Sequence, residues 1–298
     1  MDGILNINKP PGKTSFSIVA LVRRLSGERR VGHAGTLDPM ATGVLPVCLG
    51  QGTRVTEFLV AATKAYQAQI ELGVTTDTYD ASGKIIQRQD PSQISQSQFE
   101  SALASFRGSI AQTPPMYSAV KHQGKRLYQL AREGVIVNRE SREIRIDKLE
   151  LMDWQPPFAT IEVVCSKGTY IRSLANDLGE ALGCGATLKE LTRLRCGPFH
   201  IQDSVSVPRL EEAFRHGNWQ SYSYPIDTVL QHLAAVMVND NEAQIIKNGG
   251  SLVLEGYDSL AKPAPLNRCR AYNHDGRFLG ILCFNSKKGQ WQPKKVFL

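Results

Sequence analysis

Ile18, Leu21, Val22 and Leu25 recur at i, i+3, i+4 and i+7, which predicts a helix from about Ser15 to Leu25. Thr14 or Ser15 can cap its start and Gly27 its end. The period then changes. Tyr66, Ala68, Ile70 and Leu72 alternate with Gln67, Gln69 and Glu71, the pattern of a half-buried strand. Ser95-Gln96-Ser97-Gln98 fits a capping box, and Phe99, Leu103 and Phe106 continue one helix face toward Gly108. Ile144 to Leu151 and Thr160 to Cys165 read as strands. Ile171, Leu174, Ala175 and Leu178 mark a helix from about Tyr170 to Leu182, stopped by Gly183. Strands and helices mix without a steady β-α-β period. The expected class is therefore α+β, with a mixed, largely antiparallel sheet flanked by helices. His216 to Gln231 reads as a connector. Short apolar pieces follow, broken by turns at Asn248-Gly249-Gly250, Glu255-Gly256 and Asp275-Gly276, and predict a small β-rich C-terminal domain. The expected division is residues 1–230 and 235–298.

The 298 residues suffice for about two domains. With 42% hydrophobic and 21% charged residues, the composition excludes disordered, collagen-like and coiled-coil classes. No run of about 18 apolar residues occurs and no charged-then-apolar leader opens the chain, so a cytoplasmic protein without a membrane span is expected. The six cysteines form no Cys-x-x-Cys pair, which argues for reduced, packed thiols over a zinc ribbon. The net charge of +7 is unevenly placed. Cations cluster from Leu5 to Ala34, from Thr113 to Arg142, and in the last twelve residues. Such stretches are either solvated faces or contacts along one phosphate backbone.

Gly12-Lys13-Thr14 has the end of a phosphate loop, but Ile7 stands where the first glycine is needed. Pro10 and Pro11 would also remove backbone donors, so no nucleotide cofactor is expected there. The most unusual segment runs from Gly32 to Val47, GHAGTLDPMATGVLPV, a Gly/Pro-punctuated loop entering an apolar strand. Asp38 is its only carboxylate and His33 its only imidazole. Three glycines allow close backbone approach to a ligand. The plain alternative makes Asp38 a turn residue, as Asp-Pro often is.

This segment closely resembles the catalytic motif of the TruB family of tRNA pseudouridine synthases. Leu5-Asn6-Ile7-Asn8-Lys9-Pro10 looks like that family's opening motif. Lys64-Ala65-Tyr66, Thr76 to Asp80, Pro114 to Lys121, Ser166 to Leu174 and Leu191-Thr192-Arg193-Leu194 follow in the family's order. The resemblance covers about residues 3–205. It implies the pseudouridine synthase fold, with a PUA-like RNA-binding domain at 235–298. The implied reaction isomerises the T-loop uridine numbered 55 in tRNA, without metal or cofactor, in a monomer.

By the same resemblance, Asp38 is the essential carboxylate, Arg172 the arginine that pairs with it, and Tyr66 the active-site tyrosine that stacks on the flipped base or acts as a base. Leu191 packs on that base, and His33 fills the space it vacates. Asp80 lies near the pocket and Tyr170 contacts substrate. Lys9, Lys121 and Arg142 are candidates for phosphate contacts, and residues 113–142 resemble a mobile basic segment that closes over RNA. Two other readings stay open: an RNA-binding module with incidental catalytic residues, and Mg²⁺-dependent phosphoryl transfer through Asp38, Asp77 and Asp80. For the latter, Asp77 and Asp80 would form the metal pair, but no His or further acid stands beside them in the sequence.

Overall fold

The computed structural model describes residues 1–254, 257 and 267–297; the turn expected at Glu255-Gly256 lies outside them. The main sheet contains β1 (Gly3–Lys9), β2 (Val31–His33), β3 (Thr42–Leu49), β4 (Lys64–Leu72), β5 (Gly108–Gln112), β6 (Arg142–Gln155), β7 (Phe158–Cys165), β8 (Ala186–Cys196) and β9 (Val205–Ser206). Its strands run in the order β9-β1-β3-β8-β4-β7-β6-β5, with β2 paired to β3. Most neighbours are antiparallel; β1 with β9 and β3 with β8 are parallel. This is the mixed sheet that the sequence pattern predicts.

Three helices carry predicted faces. α1 (Ser15–Ser26) buries Ile18, Val19 and Val22 and ends at Gly27, whose φ of 66° favours glycine. α2 (Gln96–Ser105) starts with both halves of the Ser95/Gln98 capping box. α3 (Ile171–Ala181) buries almost its whole length against β8 and β4. β4 turns Ala68, Ile70 and Leu72 into the core, and Tyr66 packs half-buried at the end of that row.

β1 and β8 were not evident from alternation. Ile4, Leu5 and Ile7 are all fully buried, because β1 is covered on both faces. The 216–231 segment is more than a connector. Its Ser223–Tyr224 strand pairs with β1.

A separate four-stranded sheet is built from Ala234–Met237, Arg268–Tyr272, Phe278–Asn285 and Gln290–Val296. It has its own core around Val236, Ile246, Cys269, Leu282 and Trp291. Its third strand and the residue that follows its last strand also dock on the main domain. Ile281 and Phe297 join the cluster of Val44, Val55 and Leu59, and the Arg54 guanidinium lies 4.9 Å from the Phe297 ring centroid. All six cysteines are unpaired and five are buried. Among the described residues no helix is long and apolar enough to cross a membrane.

Candidate active site

Asp38 sits in the loop between β2 and β3, and that loop is tied down from several sides. The Ser15 hydroxyl, at the first position of α1, accepts from the Leu37 N–H at 2.8 Å and reaches the Leu37 carbonyl at 3.1 Å. Gly12 N–H donates to the Pro39 carbonyl at 2.8 Å, and Ala41 N–H to that of Asp38 at 3.1 Å. The Gly12-Lys13-Thr14 run thus serves the turn and the helix cap: Thr14 Oγ1 accepts from Ser17 N–H at 3.0 Å.

Lys9 completes the clamp. Its side chain is fully buried, and its ammonium donates to the carbonyls of Pro10, Lys13 and Pro39 at 2.9, 2.6 and 3.1 Å. Burial pulls its pKa down to about 8, partly offset by Asp38. The expected phosphate contact at Lys9 is therefore corrected. Every ammonium proton is taken by backbone, and the group has no path to solvent.

Arg172 occupies the first turn of α3. Tyr170 precedes it, and Gln112 fixes that corner: Tyr170 N–H donates to Gln112 Oε1 at 2.8 Å, and Gln112 Nε2 donates to the Tyr170 carbonyl at 3.0 Å. From there the guanidinium holds two carboxylates. Nε lies 2.9 Å from Asp38 Oδ2, as a charge contact poorly aligned for a hydrogen bond. Nη2 donates to Asp38 Oδ1 at 3.2 Å and to the Tyr117 carbonyl at 2.9 Å. Nη1 donates to Asp80 Oδ2 at 3.2 Å and to the Thr78 carbonyl at 3.3 Å.

Asp80 is locked on its other edge by Thr78 and Ser82, whose hydroxyls and N–H it accepts. Asp77 accepts from Lys84 N–H at 2.8 Å. Neither carboxylate of the imagined metal pair is idle. Side-chain exposure separates the three members of the network. Arg172 and Asp80 keep 6% and 4% of their surface open, whereas Asp38 keeps 32%. Asp38 is therefore the group that a ligand can reach. Burial pushes its carboxyl above the usual range; Arg172 draws it back, Asp80 pushes it further up, and Lys9 opposes.

Tyr66 and Leu191 stand on the paired strands β4 and β8 of the sheet. Tyr66 on β4 lies opposite Arg193 on β8, and Leu191 lies opposite Ala68. Leu191 is buried in the main core. Burial pushes the Tyr66 phenol up to about 12, with Arg193 pulling against it, so the free phenol keeps its proton near neutral pH. His33, at the end of β2, is half-buried, with a buried Nδ1 that has no partner. Burial, then the charge of Arg193, holds its pKa below the ordinary value, so the ring is neutral. The Tyr170 hydroxyl is pushed up chiefly by burial.

Lys121 stands apart. It is exposed on the short hairpin formed with Lys125 and Arg126 and makes no contact with Asp38 or Arg172 among the described residues. Arg142 is exposed at the start of β6. The basic 113–142 segment touches the site through Tyr117, and through Thr113, whose carbonyl accepts from the Ser173 hydroxyl at 2.9 Å.

Arg193, inside the Leu191–Leu194 motif, has no role assigned by the sequence pattern. It is 1% exposed, its Nε donates to the Val44 carbonyl at 2.6 Å, and Nη2 donates to the Gly35 carbonyl at 3.1 Å. A signal was present: an arginine between Leu191 and Leu194 in a strand that enters the core.

With this geometry in view, the likenesses to known proteins are specific. Residues 23–171 match the TruB family pseudouridylate synthase N-terminal domain, and residues 172–237 the tRNA pseudouridylate synthase B C-terminal domain. The chain is 45% identical over 298 residues to a tRNA pseudouridine synthase B of Dehalococcoides mccartyi, covering 100% of this chain and 97% of the relative. It is 43% identical to the Clostridium kluyveri protein of the same name, with 100% of both chains covered. A chain in the crystal structure of a Cbf5-Nop10-Gar1 complex superposes with a TM-score of 0.75 at 25% identity, covering 99% of this chain and 85% of that one.

Proposed function

The chain belongs to the TruB family of pseudouridylate synthases, and from that premise we propose that it isomerises uridine to pseudouridine at the T-loop position numbered 55 of tRNA. The observation that carries this reading is the half-open Asp38 carboxylate, held by a buried Arg172 that Asp80 holds in turn. A guanidinium fork keeps a carboxylate ionised and aimed where desolvation would otherwise protonate it.

The target uridine is stacked in its loop, so it must be extruded to reach Asp38. His33, neutral and half-buried at the loop's edge, fills the vacated space. Tyr66 and Leu191 offer an aromatic and an aliphatic surface to the flipped base; stacking on an aromatic ring returns about 1–3 kcal/mol. Asp38 acts at ribose C1′ as the N1–C1′ bond breaks. The uracil turns, C5 bonds to C1′, and the C5 proton is exchanged for one on N1. Atoms and electrons balance within the nucleotide, so the reaction calls for no redox partner or co-substrate. Lys121, Arg142 and the exposed cations of α1 neutralise phosphates of the T arm, while Lys9 acts indirectly by holding the Asp38 turn. The protein works as a cytoplasmic monomer.

The test is a protein-only incubation with an unmodified T-arm RNA, followed by site-resolved detection of pseudouridine, with and without a chelator. Conversion confined to the T-loop uridine and indifferent to chelation supports the reading. Tight binding without conversion would leave an RNA-binding module, and loss on chelation would favour the metal reading.

A further inference from the structure

Arg193 is among the largest fully buried side chains, and among the described residues no carboxylate lies within ion-pair reach of it. The charges it acts on are of its own sign or titrate: Lys9, His33, Lys64 and Tyr66. A buried charge without a counter-charge is costly, and an apolar side chain of similar length fills such a space without that cost. Two features of its placement account for its presence.

The first is the pair of carbonyls that it holds. Gly35 and Val44 lie on either side of Asp38, so one guanidinium on β8 pins both limbs of the Asp38 loop to the sheet. The second is register. Arg193 and Tyr66 are direct cross-strand partners, so their side chains leave the sheet on the same face as close neighbours. Arg193 is the cation that acts on the Tyr66 phenol.

We propose that Arg193 is a positioning residue that makes the Tyr66 oxygen the acceptor for the proton on C5 of the rotated uracil. This rests on the uridine isomerisation proposed above. The phenol rests protonated; the small fraction that releases its proton to solvent stands as a phenolate beside the guanidinium. After the C5–C1′ bond has formed, the C5–H bond breaks and its proton passes to the phenolate oxygen. The electron pair restores C5=C6, the N1=C6 pair moves onto N1, and N1 takes a proton from solvent. Phenol is regenerated and no net proton is consumed. A cation at the phenol oxygen favours the anion that this step uses.

The experiment compares the wild-type chain with Arg193→Gln on T-arm RNA carrying uridine or C5-deuterated uridine at the target. Wild type must first form pseudouridine; if it does not, the isomerisation reading falls and this inference with it. The expected result is a kcat about 10²-fold lower in Arg193→Gln, the low end of what a positioned base contributes. RNA binding should be unchanged, and the C5 deuterium isotope effect larger than in wild type. If kcat is unchanged, or falls with the isotope effect unmoved, Arg193 only fastens the Asp38 loop and the inference is overturned. Arg193→Lys, which keeps the charge, replaces Arg193→Gln should the latter not fold. Combined with Tyr66→Phe, it should be no slower than Tyr66→Phe alone, and additive losses would contradict the coupling.

Discussion

Replacing Arg172 with methionine removes the one cation that both Asp38 and Asp80 contact. Asp80 is almost wholly enclosed, and its remaining partners, Thr78 and Ser82, are neutral. The other cation acting on Asp38 is Lys9, whose protons are already committed to three carbonyls. Breaking a buried pair typically costs about 3–5 kcal/mol. For a chain of this size that corresponds to a fall in Tm of about 6–20 °C.

The protein can limit the loss by protonating one carboxylate, and this fixes the sign of the pH dependence. Without the guanidinium, the folded-state pKa of Asp38 rises further above its unfolded value. The variant's deficit is then largest at neutral pH and shrinks as pH falls through that raised pKa. The acid limb of kcat/KM, which reports ionised Asp38, should move up by about 1–3 pH units, the span that a lost opposite charge commands. The assays are thermal melts and initial rates from pH 5 to 9. Arg172→Met/Asp80→Asn, which removes the second acid as well, should recover part of the stability. A variant with wild-type Tm and an unmoved acid limb would show that Arg172 does not govern the charge on Asp38.

Three further outcomes follow from the same contacts. His33→Ala should slow extrusion of a fluorescent base analogue at the target while leaving the rate after extrusion intact; extrusion at the wild-type rate would remove the wedge role. Lys9→Met removes the ammonium donor from the Pro10 and Lys13 carbonyls, while the Pro39 carbonyl keeps the Gly12 N–H; an unpaired carbonyl costs about 1–3 kcal/mol when buried, so the variant should lower Tm and kcat with little change in the salt dependence of RNA binding. A flattened salt slope would restore Lys9 as a phosphate contact. Removing residues from Ala235 onward uncovers the surface under Ile281 and Phe297 and should lower Tm. It should also flatten the salt slope of tRNA binding, by about 0.9 per lost phosphate contact, with kcat at saturating RNA retained. An unchanged slope in the folded truncation would end the claim that the tail binds RNA.

Elements with one apolar face were legible in the sequence. α1, α2, β4 and α3 each present a single apolar face, and their periodicity shows it. β1 is covered on both sides, so Ile4-Leu5-Asn6-Ile7 carries no alternation to read, and β8 shifts register at Leu188/Glu190 and Arg193/Arg195, which breaks the alternation of Leu188 to Leu194. The segment around Asp38 stood out because glycines, prolines and one acid rarely cluster ahead of an apolar strand.

What could not be read was the direction of long side chains. Lys9 looks like any cation of a basic stretch, yet its ammonium folds inward onto three carbonyls brought together by the Pro10 and Pro39 turns. Arg193 looks like a strand arginine, yet the register of β8 with β4 and β3 turns it under the loop. Of the cluster at the C-terminus, Lys295 is spent on Glu57 and the Arg54 carbonyl, which composition could not reveal.

The central claim is that Asp38 drives uridine isomerisation in tRNA. Asn keeps the size of Asp but loses its charge and nucleophilicity. The most direct measurement is single-turnover pseudouridine formation at the T-loop uridine by wild type and Asp38→Asn, with tRNA affinity measured on the same preparations. The account predicts conversion by wild type and none by Asp38→Asn, with Kd values within about tenfold, or roughly 1.4 kcal/mol. Turnover by Asp38→Asn near the wild-type rate, or conversion by neither protein despite tight binding, would contradict it.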